Sequence, residues 1–174
     1  MKTCKKYIDK LIDERYIRYI NYKKVPMQIT SKFTIGVHVL CALEYFKDEK
    51  VTSSFLAGSV GVNPVVVRMV MSDLKDAGLI DISQGKTGIK LTRPLDTITM
   101  YDVYRAVEDV EESIFNFHDN PNPACPVGKN IHAALDDKLF DIKVAMENEM
   151  KKTHIASVYQ TIRSNAMLEG DKNE

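Results

Sequence analysis

The sequence predicts a mainly α-helical fold with a small β wing: a winged helix-turn-helix unit followed by a long helix. Three observations predict it. A short helical stretch and a second helix are separated only by Gly61-Val62-Asn63. Two short apolar strands then flank Gln84-Gly85-Lys86-Thr87-Gly88, a hairpin tip with two glycines. Finally Ile131, Leu135, Leu139, Ile142, Met146 and Met150 step by three or four residues, the period of one helix face.

Each element follows from local chemistry. Ile8, Leu11, Ile12, Tyr16 and Ile20 roughly keep a helical period, so residues 5–20 read as a basic amphipathic helix ended by Val25-Pro26. Thr30 is placed as the N-cap of a helix reaching Phe46, with Phe33, Val37, Leu40, Cys41 and Leu43 on its apolar faces. Lys47 to Lys50 form a charged turn. Thr52 or Ser53 caps a short helix from Ser54 to Val60, closed by Gly61. Asn63-Pro64 restarts the chain as a helix, a capping side chain followed by proline at the first helical position. That helix ends at Gly78, suited to the left-handed residue after a helix. Leu79 to Ile82 and Ile89 to Leu91 read as strands, and Thr99 caps a helix from Met100 to about Val110. Asp119 to Gly128, with three prolines, reads as a loop before the long helix. A last short helix follows Thr153, and the tail from Glu169 is polar.

Composition excludes several classes. The 174 residues are 44% hydrophobic and 28% charged, enough for a core and unlike a disordered chain. No apolar run approaches the roughly 20 residues of a membrane-spanning helix, and the charged start lacks a secretory signal, so a cytoplasmic protein is expected. Cys4, Cys41 and Cys125 are odd in number and widely spaced, which makes neither a disulfide framework nor a zinc knuckle. The 24 basic and 24 acidic residues cancel only over the whole chain: residues 1–26 carry +5, residues 27–97 carry +1 and residues 98–174 carry −6. Such asymmetry separates a binding half from an assembly half. No phosphate-binding glycine loop, HExxH or nucleophile elbow is present, so no enzyme is expected.

Helix, short helix, tight turn, helix and hairpin form a unit whose second helix fits the roughly 12 Å major groove while the first props it. Ala57 is small where the pair crosses, and Leu56, Val62, Val67, Val70 and Leu74 fasten it to the domain. The same module can instead serve as a protein–protein adaptor, and that reading stays beside DNA binding.

Residues 27–108 resemble the Rrf2 family of bacterial winged-helix regulators, of the IscR, NsrR and CymR kind. The resemblance is carried by Met27-Gln28-Ile29-Thr30-Ser31-Lys32, Val51-Thr52, Leu56-Ala57 and Gly61-Val62-Asn63-Pro64. It continues through Leu74-Lys75-Asp76-Ala77-Gly78-Leu79-Ile80, Leu91-Thr92-Arg93-Pro94, Ile98-Thr99, Asp102-Val103 and Ala106-Val107-Glu108. It implies a DNA-binding transcriptional regulator, a repressor in its usual mode, whose partner is double-stranded DNA. It also implies a homodimer held by the long helix, so that Ile131, Leu135, Leu139, Ile142, Met146 and Met150 become the dimer interface. Two recognition helices about 34–36 Å apart would then read an inverted repeat. On this resemblance the chain divides into a basic extension (1–26), a DNA-binding domain (27–97), a helical dimerisation region (98–168) with a sensor-type loop (118–130), and a polar tail (169–174).

Within the DNA-binding unit Asn63, Val65, Val66, Arg68 and Met69 are expected to face bases. Ser31, Lys32, Lys86, Thr87 and Lys90 are expected to face phosphates, with Gln84 beside them in the wing. Departures from the family limit the transfer. The wing is one residue shorter, Gln84 stands where arginine is usual, and Arg68 stands where relatives commonly carry an acid. Arg68 therefore reads either as a guanine contact or as a phosphate or surface charge.

Iron–sulfur members of the family carry three cysteines in the loop before the dimer helix, and a cluster generally takes four ligands. This loop holds only Cys125, so no cofactor and no metal are expected. His118, Cys125 and His132 are spaced by seven, too dispersed to argue a mononuclear site. Cys125 is read as a redox switch, against the plainer reading of a loop thiol; a small-molecule or redox effector is otherwise unidentified. Cys41, on an apolar helix face, reads as inert core. Relatives begin at the position of Met27, so residues 1–26 read either as an arm adding phosphate contacts or as a stretch translated from an upstream start codon.

Overall fold

Thr30 opens the first helix: in extended backbone its side-chain oxygen accepts the Lys32 N–H at 3.1 Å, and α1 (Ser31–Tyr45) follows. The computed structural model describes residues 29–82, 88–108, 114–115 and 117–170. The helix expected at residues 5–20 and the wing-tip residues Gln84, Lys86 and Thr87 lie outside them. Thr52 caps α2 (Ser53–Val60) by accepting the Phe55 N–H, and Gly61 closes it in the left-handed region at φ 74°. Asn63 then caps α3 (Pro64–Asp76) by accepting the Val65 N–H at 2.9 Å. The break between α2 and α3 bends by 113°, inside the range of helix-turn-helix pairs of roughly 90–120°. Ala57 is buried at the crossing, and Leu56, Val67, Val70 and Leu74 are fully buried beneath it.

Gly78, at φ 70°, turns the chain into β1 (Ile80–Ile82), which pairs antiparallel with β2 (Ile89–Leu91); Ile80 stands opposite Leu91 and Asp81 opposite Lys90. Thr92 Oγ1 donates to the Gly78 carbonyl at 2.6 Å and closes the base of the wing. A 3-10 turn at Leu95–Thr97 leads to α4 (Met100–Val107). There Thr99 and Asp102 form a reciprocal capping box, each side chain accepting the other's backbone N–H. The apolar faces of α1, α3 and α4, with Leu79, Ile80 and Ile89 from the strands, form one core.

Three boundaries differ from the sequence expectation. The helix expected to reach Val110 stops at Val107, and Glu108 turns extended. Its carboxylate accepts from the N–H and the Oγ1 of Thr30, at 2.7 and 2.8 Å, tying the end of α4 to the start of α1. The long helix, α5 (Pro126–Lys152), starts five residues earlier than its stripe suggested, with Cys125 as N-cap and Pro126 in the first turn. The last helix, α6 (Ile155–Gly170), runs 16 residues and takes in the start of the expected polar tail.

Between α5 and α6 the chain crosses the segment entering α4. The Met100 N–H donates to the Thr153 carbonyl at 2.8 Å and the Ile155 N–H to the Ile98 carbonyl at 2.9 Å, with Ile98 and Ile155 fully buried. This short antiparallel bridge, Thr99 opposite His154, fastens the two carboxy-terminal helices to the exit of the wing. Among the described residues no single helix is long and apolar enough to cross a membrane.

Candidate nucleic-acid interface and thiol loop

α3 is two-sided. Val67, Val70, Met71 and Leu74 bury one side, while Val65 (52% exposed), Arg68 and Met69 (51% exposed) stand outward. Their spacing of three and four residues places these three on one face. Two residues expected beside them have additional work. The acceptor oxygen of Asn63 is engaged in capping α3, and Val66 is partly buried against the core. Over its first two turns the outward face of α3 is therefore apolar with one guanidinium, and the exposed Ser72 continues it.

Of the residues expected to face phosphates, Lys32 reaches α3, and Ser31 and Lys90 are exposed on their own elements, at the start of α1 and in the middle of β2. Lys32 Nζ lies 3.5 Å from Asp73 Oδ2, bracing α1 to α3. A half-exposed pair of this kind contributes about 0–1 kcal/mol, little enough for a phosphate to compete for the ammonium. Arg93, beyond the wing, is drawn to the Asp102 carboxylate at 3.2 Å, the same carboxylate that closes the capping box.

At the start of α5 the amides of Gly128 and Val127 draw the half-buried Cys125 thiol below its ordinary pKa, although no capping hydrogen bond of ordinary geometry reaches its sulfur. Gly128 is required there, because a β-carbon would stand 2.5 Å from the Asn122 carbonyl oxygen. His132 packs edge to face on His118, centroids 5.1 Å apart, and against Phe117 at 4.7 Å. Among the described residues no group of three or more His, Cys, Asp or Glu side chains is gathered closely enough to hold a metal ion. Cys41 is buried, and desolvation pushes its thiol up to about 11.

α5 packs along α4 and has no fully buried residue. Of the expected stripe, Ile131, Leu135, Leu139, Met146 and Met150 are half-buried, while Ile142 is 53% exposed. Phe140, 65% exposed, and Val144 extend this apolar surface off the stripe. Their spacing of four was readable, but a periodic count centred on Ile131 passed over them.

The comparisons agree with this geometry. The profile of the Rrf2 family, described as "Iron-dependent Transcriptional regulator", matches residues 29–161. The "Putative HTH-type transcriptional regulator YwnA" of Bacillus subtilis (strain 168) is 41% identical over 130 residues, 75% of this chain and 96% of that protein. A crystal structure described as "a putative DNA binding protein" is 35% identical, covers 73% of this chain and 97% of its own, and superposes with a TM-score of 0.59. The cysteine regulator CymR of B. subtilis, 19% identical, shares the fold over 76% of this chain and 95% of its own, with a TM-score of 0.55. With a two-strand wing beside a helix-turn-helix, and a family match running from just before α1 into α6, the chain belongs to the Rrf2 family of transcriptional regulators.

Proposed function

We propose that the chain is a homodimeric repressor that docks α3 in the major groove of an inverted-repeat operator and responds to oxidants through Cys125. The observation that carries the reading is the two-sidedness of α3. Its buried side seats the helix, and Val65, Arg68 and Met69 are left free to meet base edges and thymine methyls. Ser31, Lys32 and Lys90 would contact phosphates on either side, and Gln84, Lys86 and Thr87 would do so from the wing tip. The DNA partner is supported by the relatives' descriptions. The homodimer is supported by the apolar surface on α5, since exposed patches of this kind mark interaction sites. Access to the genome places this activity in the cytoplasm.

The family description names iron, and the donor set does not fit it. The loop before α5 supplies one cysteine, and no metal-holding group is gathered among the described residues. The reading therefore assigns no cofactor and gives the sensing role to the thiol. A thiolate is the reactive form, and the amides at the start of α5 favour it at Cys125. The thiolate sulfur would attack one oxygen of hydrogen peroxide and break the O–O bond, giving a sulfenic acid and hydroxide.

Electrophoretic binding to the DNA upstream of the chain's own gene, across a salt series, tests the reading. Affinity is expected to fall with a log–log slope of about −0.9 per neutralised phosphate. Peroxide is expected to weaken binding by the wild type and not by Cys125→Ser. Absence of sequence-preferential binding in both reduced and oxidised protein would overturn it in favour of an adaptor.

A further inference from the structure

A cleft of about 450 Å³ lies between α1, α2 and α6, remote in sequence from the loop that holds Cys125. That volume falls in the range of small-molecule sites, roughly 300–1,000 Å³. We propose that this cleft binds a neutral, largely apolar molecule of one or two rings bearing a hydroxyl or carbonyl, and that its occupancy sets the hold on DNA. The regulatory half rests on the reading of α3 as a recognition helix; the site itself does not.

The lining defines the ligand class. Val37 and Ala42 of α1 face Val158, Ile162 and Ala166 of α6, so the walls are aliphatic. Among the described residues no carboxylate, ammonium or guanidinium lines the cleft, so a charged ligand would find no counter-ion on these walls. Tyr45 and Phe46 border it, and their rings meet edge to face at 4.9 Å. Phe46 meets Phe55 in the same way, which gives a flat ring an aromatic edge to pack on. Polarity is confined to the small hydroxyls of Thr34 and Ser59, the phenol of Tyr45 and His38, whose Nε2 lies 2.9 Å from Ser59 Oγ. That pair can share a hydrogen bond with one oxygen of a ligand. The Cys41 thiol also faces the cleft, but burial keeps it protonated, so retention there is non-covalent.

Position supplies the consequence. Ser59 stands two residues before Gly61, the turn that aims α3. The opposite wall, α6, starts at Ile155, which is pinned to Ile98 at the exit of the wing. A molecule in the cleft therefore touches the first helix of the helix-turn-helix and the carboxy-terminal helix at once. Binding that favours one spacing of these elements shifts the equilibrium between their arrangements.

The test uses the full chain with 2-naphthol and 4-phenylphenol as probes, followed by calorimetry and by methyl NMR of the Val, Ile and Ala lining. At least one probe is expected to bind saturably at one site. Ala166→Trp, which fills the cleft from its α6 side, is expected to weaken binding by about tenfold or more, and Ser59→Ala by several-fold. Thermal melts verify that both variants fold; should Ala166→Trp fail to fold, Ile162→Trp takes its place. Electrophoretic binding with saturating probe is expected to shift the DNA midpoint by about threefold or more. The proposal is overturned if neither phenol binds saturably, or if binding survives the filled cleft unchanged. DNA binding indifferent to bound probe overturns the regulatory half alone, whereas probe binding in a chain that never binds DNA overturns the operator reading and the regulatory half with it and leaves the site standing.

Discussion

Gly36 of α1 and Val103 of α4 meet so closely that a β-carbon at position 36 would stand 3.0 Å from Val103 Cγ1. Both residues are buried, and the contact sets the approach of the two helices. An alanine there recovers up to about 1 kcal/mol of helix propensity while pushing Val103 aside. Overpacking of a tight core costs about 1–3 kcal/mol. Gly36→Ala is therefore expected to range from neutral to a loss of about 2 kcal/mol, and Gly36→Val to lose more. Urea denaturation measures both, and a Gly36→Val chain as stable as wild type would refute the close approach.

Arg68 and Lys90 separate readout from attraction. Arg68→Ala is expected to cost about 1–3 kcal/mol on the preferred operator and little on unrelated DNA. Lys90→Ala is expected to weaken all sequences alike and to reduce the salt slope by about 0.9. Parallel salt titrations on operator and random duplexes compare them. If Arg68→Ala behaves like Lys90→Ala, the guanidinium serves a phosphate.

Phe140 gives the sharpest test of the assembly. Being exposed within the protomer, it can be replaced by aspartate at small cost to the protomer's own fold, whereas a buried charge in an apolar interface is severely penalised. Phe140→Asp is expected to move the sedimenting species from dimer mass to monomer mass and to abolish tight operator binding together with it. A dimer that persists would place the interface elsewhere on α5.

Their surroundings shift the two thiols in opposite directions, Cys125 downward and Cys41 upward. In a Cys4→Ser background, alkylation of Cys125 by iodoacetamide is expected to rise with a midpoint below that of the same thiol in the unfolded chain. Cys41, with its thiol near 11, is expected to react only on unfolding. Because Cys125 ionises more readily folded than unfolded, ionisation favours the native state. That contribution is complete above the unfolded pKa and is lost as pH falls through the folded one. Equal alkylation profiles for the two thiols would contradict the assigned environments.

The caps were legible in the sequence because capping is local chemistry. Thr30, Thr52, Asn63 and Thr99 each accept a backbone N–H two or three residues on, and Gly61 and Gly78 take the left-handed conformation expected of them. The two wing strands were legible as short apolar runs, whereas their register is a cross-strand pairing that the structure supplies. What escaped depends on contacts across the fold. Three prolines made residues 119–128 read as loop, yet Pro126 is tolerated in a first turn and Gly128 lets Asn122 pack beneath it. The end of α4 is set by Glu108 reaching back to Thr30, 78 residues away. The Lys32–Asp73 brace and the cleft between α1 and α6 likewise join segments that no window of sequence compares. Within the candidate interface, the alternation of Val67 and Val70 inward with Val65 and Arg68 outward was readable, but the partial burial of Val66 was not.

The bridge between Thr99 and His154 makes α5 a lever. Its 27 residues, at about 1.5 Å each, extend about 40 Å from this pin to Cys125. Because α4 lies along the helix near this pin, a small pivot about it moves the Cys125 end most. The converse also holds: a displacement imposed at Cys125 reaches the wing geared down, as a small rotation with a long mechanical advantage. The fulcrum sits at the exit of the wing and the handle at the thiol, about 40 Å away along the helix.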